Sequence, residues 1–146
     1  MIKLRALTQY LLDRKLVAPE QLDSWTDTLS LDLVWKDTEQ GLHMGDMIYT
    51  ATIALERFAD EPVRLVALIG SWLDTHDDDR EDLPAPAFQI TMLDNDLADV
   101  DLTLQFVEPQ HLAEDPAGEI VAQGKTWSLI PYDLWVAEQG EVTSHG

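Results

Sequence analysis

Strict alternation between Phe88 and Phe106 constrains this chain more than any other feature. Val100, Leu102, Leu104 and Phe106 point one way; Asp99, Asp101, Thr103 and Gln105 point the other. Period two is the mark of a strand with one buried face. Upstream, Phe88, Ile90 and Met92 alternate again. Between the two runs, Leu93-Asp94-Asn95-Asp96 carries turn chemistry, because Asn and Asp side chains can bond their own backbone. The segment therefore predicts a β-hairpin with acidic residues around its turn, ending near Glu108 and Pro109. Such a hairpin needs a cover for its apolar face.

The rest of the chain supplies one. Leu4, Leu7 and Leu11 recur at helical spacing, with Leu12 widening the stripe, and predict a helix over 2–14. Leu29, Leu31, Leu33 and Trp35 alternate with polar residues in a strand over 25–36. A loop with Gly41 and Gly45 as breakers follows. A second strand over 47–58 has Tyr49, Ala51, Ile53 and Leu55 on one face. Asp60 as N-cap and Pro62 as the first helical residue open a helix running to about Thr75. Its apolar residues cover more than one face, so it is expected to be buried on more than one side. Residues 74–86 read as a solvated acidic loop and 109–118 as another loop. A last strand pair or arm is expected over 119–136, around Trp127, Ile130, Tyr132 and Trp135, with a frayed tail from Glu138. The expected fold is α+β: an antiparallel or mixed sheet of about four to five strands covered by two helices on one face. No repeat or linker divides the chain, so 1–146 reads as one domain with a C-terminal arm over 109–146.

Composition narrows the function. The 146 residues suffice for one domain with a core. There are 28 acids against 9 bases, a net charge of −19. That surface repels nucleic acid and anionic membranes, so neither is an expected direct partner; a cationic or polar protein surface is. The bases are uneven: Lys3, Arg5, Arg14 and Lys15 open the chain, and after Arg80 the only base is Lys125. The first helix is thus expected to dock on acidic surface, in the same chain or a neighbour's. Cysteine is absent, which removes disulfides and cysteine catalysis. No apolar stretch follows Lys3 and Arg5 as a signal peptide requires, and no apolar run reaches the ~20 residues of a membrane span.

Catalytic and metal motifs are not apparent. Asp74-Thr75-His76-Asp77-Asp78-Asp79 lacks the glycine and the bidentate Glu of a calcium loop and reads as solvated. Asp94, Asp96, Asp99 and Asp101 admit at most weak cation binding. His43, His76, His111 and His145 show no paired metal-ligand spacing. Gly70-Ser71-Trp72 falls inside a helix, not at a nucleophile elbow. The reading is a protein that is not an enzyme and carries no metal or cofactor. Of five tryptophans, Trp35 and Trp72 fit the core, while Trp25, Trp127 and Trp135 lie nearer element ends.

Three blocks in order carry a family resemblance: the amphipathic start Leu4-Arg5-Ala6-Leu7-Thr8, the apolar helix from Val63 to Trp72-Leu73, and the strand–turn–strand from Ile90 to Phe106 followed by the acidic Glu108. Together they resemble the tail completion protein R family of P2-like contractile-tailed phages, over roughly residues 3–108. The loop 77–82 and the segment after Pro109 have no counterpart in it. The resemblance implies a structural protein that completes the tail so that heads join stably. It implies a place in the virion tail, reached from the host cytoplasm during assembly, in a phage, a prophage or a tail-like bacteriocin. By size and element order the chain also resembles tail terminators, which form hexameric rings on the tail tube. The implied partners are the chain itself in a ring, the tail tube protein and the head-tail connector proteins. Val63, Leu65, Leu68 and Trp72 are the expected oligomer contacts, because their helix carries more apolar surface than one sheet contact needs. Asp94, Asp96, Asp99 and Asp101 are the expected docking residues for a cationic partner. The competing reading from charge is an acidic inhibitor that mimics nucleic acid, which needs carboxylates spaced like phosphates along a rod.

Overall fold

Leu4, Leu7 and Leu11 are the apolar residues buried by the first helix, α1 (Ile2–Asp13), so its inward stripe is the one its spacing predicts. Lys15, at φ +56°, takes the left-handed conformation that commonly follows a helix end. The computed structural model describes residues 1–132 and Leu134 of the chain; Trp135, His145 and the expected frayed tail lie outside the described residues. The remaining elements are β1 (Leu22–Thr38), β2 (Gly41–Phe58), α2 (Pro62–His76), β3 (Ala87–Met92), β4 (Ala98–Glu114), β5 (Ile120–Ala122) and β6 (Lys125–Ile130). The fold is α+β, and among the described residues its antiparallel sheet has six strands in the order β1-β2-β4-β6-β5, with β3 also pairing with β4.

The expected hairpin forms, and in its register Phe88 faces Leu102, Ile90 faces Val100 and Met92 faces Ala98. Its second strand does not stop at Pro109 but runs on to Glu114. Pro109 is tolerated because it falls between the stretch that pairs with β3 (Ala98–Thr103) and the stretch that pairs with β6 (His111–Glu114), where those ladders need no N–H from it. Likewise Gly41 and Gly45 are not in a loop. Gly41, at φ +120°, opens β2 directly after the turn, where the Thr38 hydroxyl donates to its carbonyl at 2.8 Å. Gly45 lies inside β2, where a Cβ would overlap the Asp32 carbonyl.

The chain divides into two compact units, and β1, β2 and β4 contribute to both. The first unit holds residues 3–28 and 49–106. Its strands carry Tyr49, Ala51, Ile53 and Leu55 of β2 and Val100, Leu102, Leu104 and Phe106 of β4, all buried. Both helices meet this face. The Leu4 N–H of α1 donates to the Tyr49 hydroxyl at 3.2 Å, and Trp72 of α2 stands edge-on to Phe106, with ring centres 6.3 Å apart. Tyr49 and Phe106 touch one another at 5.7 Å.

The second unit holds residues 29–48 and those from Val107 onward, together with Ile2. Its core is small: Leu42, Leu112 and Trp127 are buried, with Trp35, Met44, Ile120 and Ala122 packed against them. The Trp127 indole donates to the Ala122 carbonyl at 2.7 Å. The expected tryptophan roles are therefore partly exchanged. Trp127 is core, Trp35 is only half-buried, and Trp25 is exposed with its indole donating to Asp27 at 2.7 Å. Glu108 is buried in this unit and accepts the Ile2 N–H at 3.2 Å.

Candidate assembly surface

Helix α2 is amphipathic rather than apolar on all sides. Leu65, Ile69, Trp72 and Leu73 are buried, at the spacing of one helix face. Of the expected oligomer contacts, Leu65 and Trp72 are thus committed to the first unit's core. Leu68 is half-buried, and Val63 is 75% exposed. Val66, Ala67 and Gly70 extend the exposed side. The N-cap is Glu61, not Asp60. Asp60 instead accepts the Glu61 N–H at 2.7 Å and pairs with Arg64 at 2.7 Å.

The four expected docking carboxylates separate as well. Asp94 and Asp96 lie in an exposed 3-10 turn closed by the Leu93 N–H donating to the Leu97 carbonyl at 2.7 Å. Asn95 (φ +64°) and Asp96 (φ +60°) are both left-handed there, a conformation Asn and Asp adopt more readily than other non-glycine residues. Asp99 is half-buried and accepts the Arg57 N–H at 3.0 Å. Asp101 is exposed opposite Gln89.

The loop after α2 is not simply solvated. Asp77 is buried and holds two cations: Lys3 at 2.6 Å on one oxygen and Arg80 at 2.6 Å on the other. Arg80 also donates to the Gln105 carbonyl at 2.9 Å and lies over the Phe106 ring, 5.5 Å from its centre. Of the basic residues that open the chain, Lys3 is thus held by a buried acid of the same chain. Two histidines that are remote in sequence also meet. His43 and His111 stack with ring centres 4.8 Å apart, and His43 bonds Asp46 at 2.8 Å. Burial lowers the His111 pKa below its ordinary value, the His43 charge lowers it further, and Asp46 opposes both. Only the pairing of β2 with β4 brings these rings together, so no local spacing announces them. Among the described residues, no group of three His, Asp or Glu side chains is arranged to hold a metal ion, and no helix is long and apolar enough to cross a membrane.

The largest surprise is β1. In the second unit Leu29, Leu31, Leu33 and Val34 are all exposed. Among the described residues β1 ends the sheet order, so it is an edge strand there. At Trp35, φ +52° interrupts the extended strand, and this tryptophan packs on the Leu42 cluster. The leucines before it remain in water, on a strand whose apolar alternation reads as a buried face.

The family model described as P2 phage tail completion protein R (GpR) matches residues 1–131. Searches of curated proteins and of solved structures return no match. The chain belongs to this family of phage tail proteins.

Proposed function

We propose that this tail completion protein caps the tail tube and permits stable head joining, acting as a ring of identical subunits. It would enter the virion tail from the host cytoplasm during assembly. The supporting observation is the apolar surface that folding leaves in water, above all Leu29, Leu31 and Leu33 on edge strand β1. Exposed apolar surface is a hazard to a solitary chain and an asset to one that is covered by neighbours. Val63 and Leu68 on α2 are further candidate subunit contacts. Leu65 and Trp72 support that contact from behind, by fixing the helix on the core. Asp94, Asp96 and Asp101 are suited to lysines and arginines of the tail tube protein or the head-tail connector proteins, with Asp99 holding the strand beneath them. A surface of net charge −19 favours cationic partners and opposes premature self-association. The test is reconstitution. Tails assembled without the chain should fail to join heads, and purified chain should restore joining. Equal joining with and without it would overturn the reading.

A further inference from the structure

The sheet of the first unit is unfinished at β3. Among the described residues this strand pairs only with β4, so its other edge is open. Phe88, Ile90 and Met92 lie opposite Leu102, Val100 and Ala98, three residues fully buried in the core. They therefore sit on the core face, yet Phe88 is only half-buried, Ile90 is 40% exposed and Met92 63%. The core face runs to the margin of the sheet and ends there without a cover.

Edge strands that must stay solitary are protected by charges, prolines or bulges. β1 carries Asp23, Asp27, Asp32, Lys36 and Asp37 against strand addition along its edge, while its leucine face stays open to a face-on contact. β3 has no such protection: Ala87-Phe88-Gln89-Ile90-Thr91-Met92 contains no charge, and its prolines, Pro84 and Pro86, lie just outside. The charges are at its two ends instead. Asp94 and Asp96 follow it in the exposed turn, and Glu81 and Asp82 precede it in the loop. The pattern is an uncharged, open strand bracketed by carboxylates.

We infer that the β3 edge receives an extended segment of another virion protein, which adds a strand to this sheet. Backbone hydrogen bonds would hold such a segment, and alternate apolar side chains would cover Phe88, Ile90 and Met92. Lysine or arginine beside the apolar run would meet Asp94 and Asp96. A second copy of this chain fits badly. Pairing β3 with another β3 in antiparallel fashion brings the Asp94–Asp96 turn of one copy toward the Glu81–Asp82 end of the other, setting like charges together. The occupant is therefore a basic segment of a different protein. This inference rests on the tail-completion reading.

The test uses the chain in assembled tails. Hydrogen exchange at residues 87–92 is compared between the free chain and the particle, and a photo-crosslinker at Met92 identifies what lies beside it. The inference expects exchange in β3 to slow at least tenfold in the particle. It expects the crosslink to fall in a segment of alternating apolar residues flanked by lysine or arginine. The double change Ile90→Lys with Met92→Lys should lower head joining at least tenfold while exchange in β4 stays as in the unmodified chain. Unchanged exchange in β3, or a crosslink to a second copy or to an acidic segment, overturns the inference and leaves the tail-completion reading standing. Absence of the chain from tail particles overturns both.

Discussion

The two compact units solve burial differently. In the first, two helices seal the face built by Tyr49, Ile53, Val100, Leu102 and Phe106, and an ion cluster of Lys3, Asp77 and Arg80 sits at its margin. In the second, three buried residues, Leu42, Leu112 and Trp127, anchor a small cluster, while Leu29, Leu31 and Leu33 stay in water. The first buries a helix-covered core but leaves the β3 margin of its sheet open; the second has a small core and an exposed leucine stripe. Stability should therefore reside in the helix-covered core of the first unit, and sensitivity to assembly in the exposed β1 stripe and the open β3 edge.

The largest test of that contrast is Phe106→Ala. The ring touches Tyr49, Trp72 and the Arg80 guanidinium, so its loss should cost about 4 kcal/mol in urea denaturation. Next is Asp77→Ala, which leaves the Lys3 and Arg80 charges without their shared carboxylate and should cost about 3 kcal/mol by the same measurement. A much smaller loss would show that water reaches the cluster and that the first unit is less sealed than its burial implies.

The leucine stripe should behave in the opposite way. Leu31→Ser should change the free chain's stability by less than about 0.5 kcal/mol, since the side chain is exposed. The same change should reduce head joining. A large stability loss with normal joining would break the comparison, because it would assign Leu31 to the fold and not to assembly.

The smallest expected effect is at the histidine pair. His111 has a folded pKa below its ordinary 6.5, so the unfolded chain binds the proton more readily. Its contribution to stability is present above pH 6.5 and is lost as pH falls through the lowered folded value. Proton NMR should place the His111 titration below 6.5, and His43→Asn should move it part of the way back, since burial remains. A midpoint at or above 6.5 would show that Asp46 dominates.

Most elements were legible because their signals are local. The Leu4–Leu7–Leu11 stripe, Pro62 at the helix start and the two alternations flanking Asp94-Asn95-Asp96 each fix one element without help from the rest. What failed depended on distant partners. Pro109 reads as a stop until β3 and β6 are seen to pair on either side of it. The expected burial of α2 on more than one side also depended on tertiary context: Leu65, Ile69, Trp72 and Leu73 form one buried face, while Val63 and Val66 stay exposed. Leu29, Leu31 and Leu33 show the converse: period two reports a strand and an apolar face, but not whether anything covers it. Asp77 looked solvated because Lys3 stands far from it in sequence, and the same distance hid His43 from His111.

Electron cryomicroscopy of finished tails, with the chain labelled, would locate the chain and its leucine stripe in the particle. The account predicts a closed ring of copies at the head-proximal end of the tail tube, with Leu29, Leu31 and Leu33 buried in contacts between molecules. Single copies with that stripe still in water, or a label elsewhere in the particle, would contradict it.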